Sequence, residues 1–426
     1  KATSTALLPC RPSRSLASSR DGPATLSCSG CLLMMLFLLG LTGCTWVFRN
    51  DTCDTDAPAV EVESLWASRS ADWQMPAVGT EFVCAFQQGE EAGVELPRLD
   101  QIACFGPTAG RLLDAISGSE AGDRQVKELS AGGGILCAQL ASETGGPTDV
   151  ECWGDGAEAA MRGLKELLDE QEDATVDVGV APGEDHICAV INPNQGADGQ
   201  RYVTCHGAGP VLDAFNEPAT AAALAGEAFS FVQTSQTLAC GRSDGRTGGP
   251  PATQFVCWGE SPPVIDPAMQ SDCWSAFDVS NGVLCANRRA DDPLAADDSC
   301  AQLPPVQCWG DATNPIISRL PDLLAQIDPA AIPPQLQLGP DYGCVHYDDA
   351  IGSRADIIAC WGASDSPVLA NPPSGRRWSW PKTGSEARHG CALDLADAAS
   401  DAPAGDLAIG RLTCWGDDLD GALALD

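Results

Sequence analysis

Residues 135–155 read ILCAQLASETGGPTDVECWGD, and variations on this stretch recur seven times along the chain. Its second cysteine opens Cys152-Trp153-Gly154, which returns as Cys257-Trp258-Gly259, Cys308-Trp309-Gly310, Cys360-Trp361-Gly362 and Cys414-Trp415-Gly416. Cys104-Phe105-Gly106 and Cys205-His206-Gly207 are degenerate copies in the two remaining places. Successive second cysteines stand 48, 53, 52, 51, 52 and 54 residues apart. A first cysteine precedes each, usually followed by alanine: Cys84, Cys137, Cys188, Cys240, Cys285, Cys344 and Cys391. A fixed period near fifty residues is the signature of a repeat architecture and outranks other fold signals.

Within a repeat the pattern is that of short strands. An alternating run comes first, as in Val126–Leu129, Val176–Val178, Phe229–Phe231, Phe277–Val279 and Leu336–Leu338, which is the half-buried strand pattern. The first-cysteine strand, a variable polar loop and the Cys-Trp-Gly strand follow. A short apolar segment ends the unit, as in Pro210–Asp213, Pro263–Asp266, Pro315–Ser318, Pro367–Ala370 and Gly421–Leu425. Four antiparallel strands per repeat describe a propeller blade, so the fold expected is all-β, a seven-bladed β-propeller with small helical inserts.

Two cysteines on consecutive antiparallel strands sit close enough to be bridged. The expected pairs are 84–104, 137–152, 188–205, 240–257, 285–308, 344–360 and 391–414. Cys273 and Cys300 fall within one repeat and make a further pair; Cys53 is left odd. The tryptophans Trp153, Trp258, Trp309, Trp361 and Trp415 point to the face opposite their cysteine and are expected to fill space between blades. The stretch Val60–Trp66 alternates weakly, so a terminal strand is expected to pair into a blade shared by both chain ends.

These motifs resemble the repeat of the regulator of chromosome condensation family, a seven-bladed propeller. The likeness is carried by His186-Ile-Cys188-Ala and His389-Gly-Cys391-Ala-Leu, and by Trp153-Gly154-Asp155, Trp309-Gly310-Asp311 and Trp415-Gly416-Asp417. It spans about residues 65–426. The family usually continues with Gly-Gln-Leu-Gly, which no repeat here contains. The resemblance therefore implies the fold and not the nucleotide-exchange activity of the family's best-known members.

The 426 residues carry 59 acidic and 24 basic side chains, a net charge of −35. That surface repels phosphate backbones, so no nucleic-acid partner is expected. Twenty-one cysteines in regular pairs imply an oxidising compartment. Zinc sites need closely spaced cysteines, and the one such spacing, Cys28–Cys31, falls in the leader. The apolar run 31–43 is too short to span a bilayer and suits a signal-peptide core. It ends in Leu41-Thr42-Gly43-Cys44, which resembles the lipobox of bacterial lipoproteins; the resemblance implies lipid attachment at Cys44. The chain is thus read as a signal peptide (1–43), a flexible acidic tether (44–64) and the propeller (65–426). Thr45 after the cysteine is similar to an outer-membrane sorting pattern, which points to the bacterial cell envelope.

The four histidines His186, His206, His346 and His389 all fall in the repeat framework and are read as structural. The acidic groups Asp291-Asp292, Asp297-Asp298 and Asp417–Gly421 lack the spacing of a calcium loop. Residues 157–172 have helical composition, with Met161, Leu164 and Leu168 on one stripe, and are read as an inserted helix where binding specificity can be added. Segment 317–327 is a weaker helical candidate. Trp378 and Trp380 form an aromatic pair suited either to core packing or to a recognition face. The expected function is a non-catalytic scaffold for an envelope or extracellular protein or glycan. It is expected to be a monomer, touching the membrane through its lipid alone, with no cofactor, metal or catalytic residue. A secreted enzyme inhibitor on the same fold, and a hydrolase or lyase at the propeller channel, are the alternatives.

Overall fold

Each repeat lays down a meander of three antiparallel strands. The computed structural model describes residues 66–67, 73–87, 96–119, 121–141, 148–171, 174–193, 201–246, 254–266, 273–288, 300, 303–327, 335–348, 356–373, 378–379, 381–395 and 410–417. Within them lie seven antiparallel sheets. The first holds Trp73–Val78, Val83–Gln87 and Ile102–Phe105; the second Val126–Gly132, Ile135–Leu140 and Asp149–Gly154. The third holds Thr175–Pro182, His186–Asn192 and Tyr202–Gly207; the fourth Glu227–Thr234, Leu238–Arg246 and Gln254–Gly259. The fifth holds Trp274–Ser280, Val283–Arg288 and Val306–Trp309; the sixth Gln335–Leu338, Tyr342–Asp348 and Asp356–Gly362. The seventh holds Lys382–Thr383, His389–Asp394 and Arg411–Gly416, and gains Trp66–Ala67 as a fourth strand.

The apolar interior is divided into slabs, one in each gap between sheets. Ile135 and Cys137 face the third sheet, whereas Leu136, Ala138 and Leu140 on the same strand face the first. Side chains alternate along a strand, so a sheet buried on both faces needs apolar residues at nearly every position. The last gap is filled in the same way: Trp73, Val78, Val83 and Ala85 of the first sheet pack with Leu393, Leu412 and Cys414 of the seventh. The first strands also touch in order around a circle, and that of the seventh sheet touches that of the first. This is the arrangement of a β-propeller.

Trp66 pairs with Cys414 and Ala67 with Thr413, and Trp73 exchanges backbone hydrogen bonds with Gly410 at 2.7 and 3.0 Å. The N-terminal segment therefore completes the last sheet and covers the edge of strand Arg411–Gly416, which would otherwise be open to other chains. The proposed C-terminal strand, Gly421–Leu425, lies outside the described residues.

Eight disulfides form: 84–104, 137–152, 188–205, 240–257, 273–300, 285–308, 344–360 and 391–414. Seven of them join directly opposed residues of the second and third strands, with Cα atoms 4.0–4.1 Å apart. The cysteines lie on the face turned to the following sheet, and the next residue turns to the preceding one. Thus Cys137 and Cys152 belong to the slab shared with the third sheet, and Trp153 to the slab shared with the first. Trp153, Trp258, Trp309, Trp361 and Trp415 are all buried.

The structure corrects the expected fourth strand. Pro210–Phe215 and Pro315–Ser318 are helices, Pro367–Leu369 is a 3-10 turn, and Pro263–Asp266 has no regular structure. Proline fixes φ near the helical value and lacks a donor, so it starts a helix as readily as an extended segment. These helices, with Ala109–Ser117 and Ala157–Glu170, pack between the outer strand of one sheet and that of the next. Sheets arranged radially diverge outwards, and a helix is thick enough to fill the widening gap. The helix Ala157–Glu170 forms where the sequence places an insert, and it buries Ala157, Ala160, Met161 and Leu164 between the second and third sheets. At Gly163 it passes so close to His206 that an added Cβ would lie 2.6 Å from the ring. The third repeat thus keeps a small imidazole where its neighbours carry indole.

Candidate functional site

All seven glycines that follow the motif aromatic, Gly106, Gly154, Gly207, Gly259, Gly310, Gly362 and Gly416, have positive φ. At Gly154, with φ 114°, an added Cβ would lie 2.0 Å from the carbonyl oxygen of Gly134 in the turn between the first two strands. The close approach brings the end of each third strand beside the first turn of its sheet. Backbone hydrogen bonds fix it there, from Ala208 to Asp185, Glu260 to Thr237, Ala363 to Asp341 and Asp417 to Arg388, at 2.9–3.0 Å. Among the described residues, the turns and motif termini are thereby gathered at one end of the sheets.

This turn face is acidic around its whole circuit. It carries Glu81 from the first sheet, Asp155 from the second, and Glu184 and Asp185 from the third. Glu260 comes from the fourth, Asp311 from the fifth, Asp341 and Asp365 from the sixth, and Glu386 and Asp417 from the seventh. Arg111 is paired with Asp155 at 3.3 Å. Between the third and fourth sheets the face opens into a cleft of about 370 Å³, lined by Glu184, Asp185, Gly209, Pro210, Gln236 and Glu260 among others. Wherever a carboxylate ring of this kind faces solvent, its field attracts cationic groups and repels anionic ones.

At the centre of the face the turns meet across the circle. The backbone N–H of Gln236, in the fourth sheet, donates to Glu386 Oε1 of the seventh at 3.1 Å, and its side-chain amide donates to Glu184 of the third. Ser280 of the fifth sheet donates to the carbonyl of Ser385 at 3.0 Å. Neighbouring sheets are joined in the same region, Thr80 N–H to Gly133 O at 2.8 Å and Asn281 to Pro340 O at 3.3 Å.

The buried ionisable groups hold sheets together. Asp278 of the fifth sheet accepts backbone N–H bonds from Val279 at 2.9 Å and from Leu338 of the sixth at 2.7 Å; burial raises its pKa to about 7. The Tyr342 hydroxyl reaches the carbonyls of Ala387 and His389, both at 3.1 Å, and burial raises its pKa. His186 and His389 open the second strands of their sheets, where the first sheet has Phe82 and the sixth Tyr342; all four are buried. Burial lowers both histidines from 6.5 to about 4. His206 bonds Thr204 at 2.9 Å, and His346 lies on the middle strand of the sixth sheet, opposite Ile358.

A histidine whose folded pKa lies below its unfolded value supports the fold only while neutral. That contribution is complete above about pH 6.5 and is lost as pH falls towards and through 4. Asp278 acts with the opposite sign, since its ionisation opposes the fold increasingly as pH rises towards 7. His389→Phe, whatever its effect at neutral pH, is expected to remove about 3 kcal/mol of the acid-side loss between pH 6.5 and 4. Urea unfolding at a series of pH values measures this; parallel pH curves for variant and parent would refute it.

Of the remaining sequence-predicted features, Trp378 is buried and bridges Asp394, so it packs rather than recognises. Trp380, Cys44, Cys53, Asp291–Asp298 and Asp418–Gly421 lie outside the described residues. Among the described residues no group of three His, Cys, Asp or Glu side chains converges as metal ligands. No described helix is long and apolar enough to cross a membrane.

No family model and no curated protein matches the chain. Among solved structures it is similar to the ectodomain of the Physcomitrella patens receptor kinase CR4, at 16% identity and TM-score 0.48, covering 82% of this chain and 74% of that one. It is similar to the CRINKLY WD40 ectodomain of the Arabidopsis thaliana receptor kinase ACR4, at 15% identity and TM-score 0.46, covering 82% and 96%. Prp20p of Saccharomyces cerevisiae matches at 13% identity and TM-score 0.39, covering 80% and 81%. The assignment to the β-propeller class stands on this chain's own sheets, slabs and circular order of strands.

Proposed function

We propose that the protein is an exported, seven-bladed propeller, built on a repeat of the regulator of chromosome condensation type, that acts as a non-catalytic interaction scaffold. Six blades are three-stranded sheets and the seventh takes Trp66–Ala67 as its fourth strand, while the helices that wedge most of the outer gaps stand in for a fourth strand elsewhere. Eight disulfides fit synthesis in an oxidising compartment. The leader and Cys44 support a lipid anchor in a bacterial envelope, with the acidic tether between anchor and ring. The partner is an envelope or extracellular protein or glycan that presents cationic groups.

The observation that carries this reading is the turn face, a rigid and continuous circuit of carboxylates with an open cleft between the third and fourth sheets. Rigid presentation limits the ordering cost of association, and the field favours encounter with a basic surface. Capture from an envelope extract by immobilised propeller should yield a partner released by salt, and the triple variant Glu81→Lys, Asp185→Lys, Glu260→Lys should lose it. These side chains are exposed, so the variant is expected to fold. Equal capture by parent and variant would place recognition elsewhere. Unchanged membrane retention of Cys44→Ser would remove the anchor from this reading.

A further inference from the structure

We propose that the turn Gly384–Arg388 of the seventh sheet is a proton-sensitive latch across the centre of the turn face, closed while Glu386 is protonated and loosened as it ionises beside Glu184. The latch is defined by its bonds. Glu386 holds the Gln236 N–H from the opposite side of the circle, the Gln236 side chain holds Glu184, and the neighbouring Ser385 carbonyl is held by Ser280. The fourth and fifth sheets, neither of them adjacent to the seventh, are thereby tied to its turn, and the third is linked to it through Gln236. The bonds to Gln236 and Ser280 span 150 and 105 residues of chain.

The groups acting on Glu386 come from two sheets. Glu184, from the third, carries like charge; Gln236, from the fourth, donates its backbone N–H. Burial and Glu184 oppose ionisation, the Gln236 N–H favours it, and the opposition prevails, so the closed latch holds a proton more tightly than an exposed glutamate does. An opened turn would return Glu386 to water. By linkage, the closed state is then favoured at low pH and loses its advantage as pH rises through the titration of Glu386. The proton comes from and returns to solvent.

The test is exchange of the Gln236 amide in the full chain, selectively labelled with 15N-glutamine and followed by NMR from pH 4 to 8, with correction for intrinsic base catalysis. In the parent, protection of this amide should fall several-fold as pH rises. Glu386→Gln fixes the neutral form and should abolish the dependence. Glu184→Gln, at an exposed position, should shrink it and move its midpoint down. A parent amide whose protection is constant with pH overturns the proposal. So does dependence that survives Glu386→Gln; and should that variant fail to fold, dependence unchanged in Glu184→Gln overturns it equally.

Discussion

Gly154→Ala is expected to destabilise the propeller by about 3 to 5 kcal/mol, one of the largest effects of any single methyl group in the chain. Two costs act together. A φ of 114° is one that side chains other than hydrogen rarely adopt. The new Cβ would also sit 2.0 Å from the Gly134 carbonyl oxygen. That oxygen belongs to backbone in a tight turn, so it cannot swing aside as a flexible side chain would. Gly110→Ala is the control. It lies in the helix Ala109–Ser117 with nothing within 4 Å of the added carbon, and it should be neutral or stabilising by up to about 1 kcal/mol. Denaturant unfolding of both variants under oxidising conditions decides the matter; similar midpoints would show that the motif glycine is not required by its conformation.

Full reduction of the disulfides without denaturant is expected to unfold the ring, with loss of the β circular dichroism signal. The cross-links close loops with separations of 15 to 27 residues. The chain-entropy account values each at about 3 kcal/mol. Even at half that value, eight of them amount to about 12 kcal/mol, comparable to the net stability of an ordinary domain, about 5–15 kcal/mol. Removal of a single hairpin pair, as in Cys188→Ser with Cys205→Ser, should cost about 2–5 kcal/mol. The Cys273–Cys300 bridge overlaps Cys285–Cys308 in sequence, so its loss leaves that repeat still cross-linked and should cost less. A fully reduced chain that keeps its native spectrum and melting temperature would show that packing alone sustains the fold.

The pairing of cysteines could be read in the sequence because register and period coincide. One repeat places two cysteines on consecutive strands, and every copy repeats the statement. The outward turn of Trp153 away from Cys152 follows in the same way from strand alternation. The segments after each Cys-Trp-Gly were not legible. Pro210–Asp213 and Pro315–Ser318 are too short for a period of two to be told from 3.6. What decides them is the widening gap between neighbouring sheets, which no local pattern records. Residues 157–172 are long enough to show a helical stripe, and the helix forms there. The sequence displays Met161 and Leu164 as apolar but cannot say which sheets they meet.

The turn face illustrates the same division. Asp155, Asp311 and Asp417 stand out after their motifs, and the period implies that they are equivalent. Their gathering with Glu81, Glu184 and Glu260 at one end depends on the antiparallel register that returns each third strand to its first turn. The bond between Gln236 and Glu386 has no local signal at all, since it joins residues brought together only when the circle is complete.

That completion has an order in time. Each cysteine pair lies within a stretch of chain that emerges as a unit, so its hairpin can form while later repeats are still being made. The pairing of Trp66 and Ala67 with Thr413 and Cys414 is different, because the first partner must wait for almost the whole of the chain. Contacts of such separation carry the largest loop-closure cost and form late. A product cut short before residue 410 would hold several finished hairpins and an uncovered edge, with its N-terminal strand unengaged. Such a product remains visible to proteases and prone to association, whereas a chain that includes the seventh sheet removes both liabilities in one closing step. The seam between Trp66–Ala67 and Thr413–Cys414 thus reports that synthesis has passed the seventh sheet.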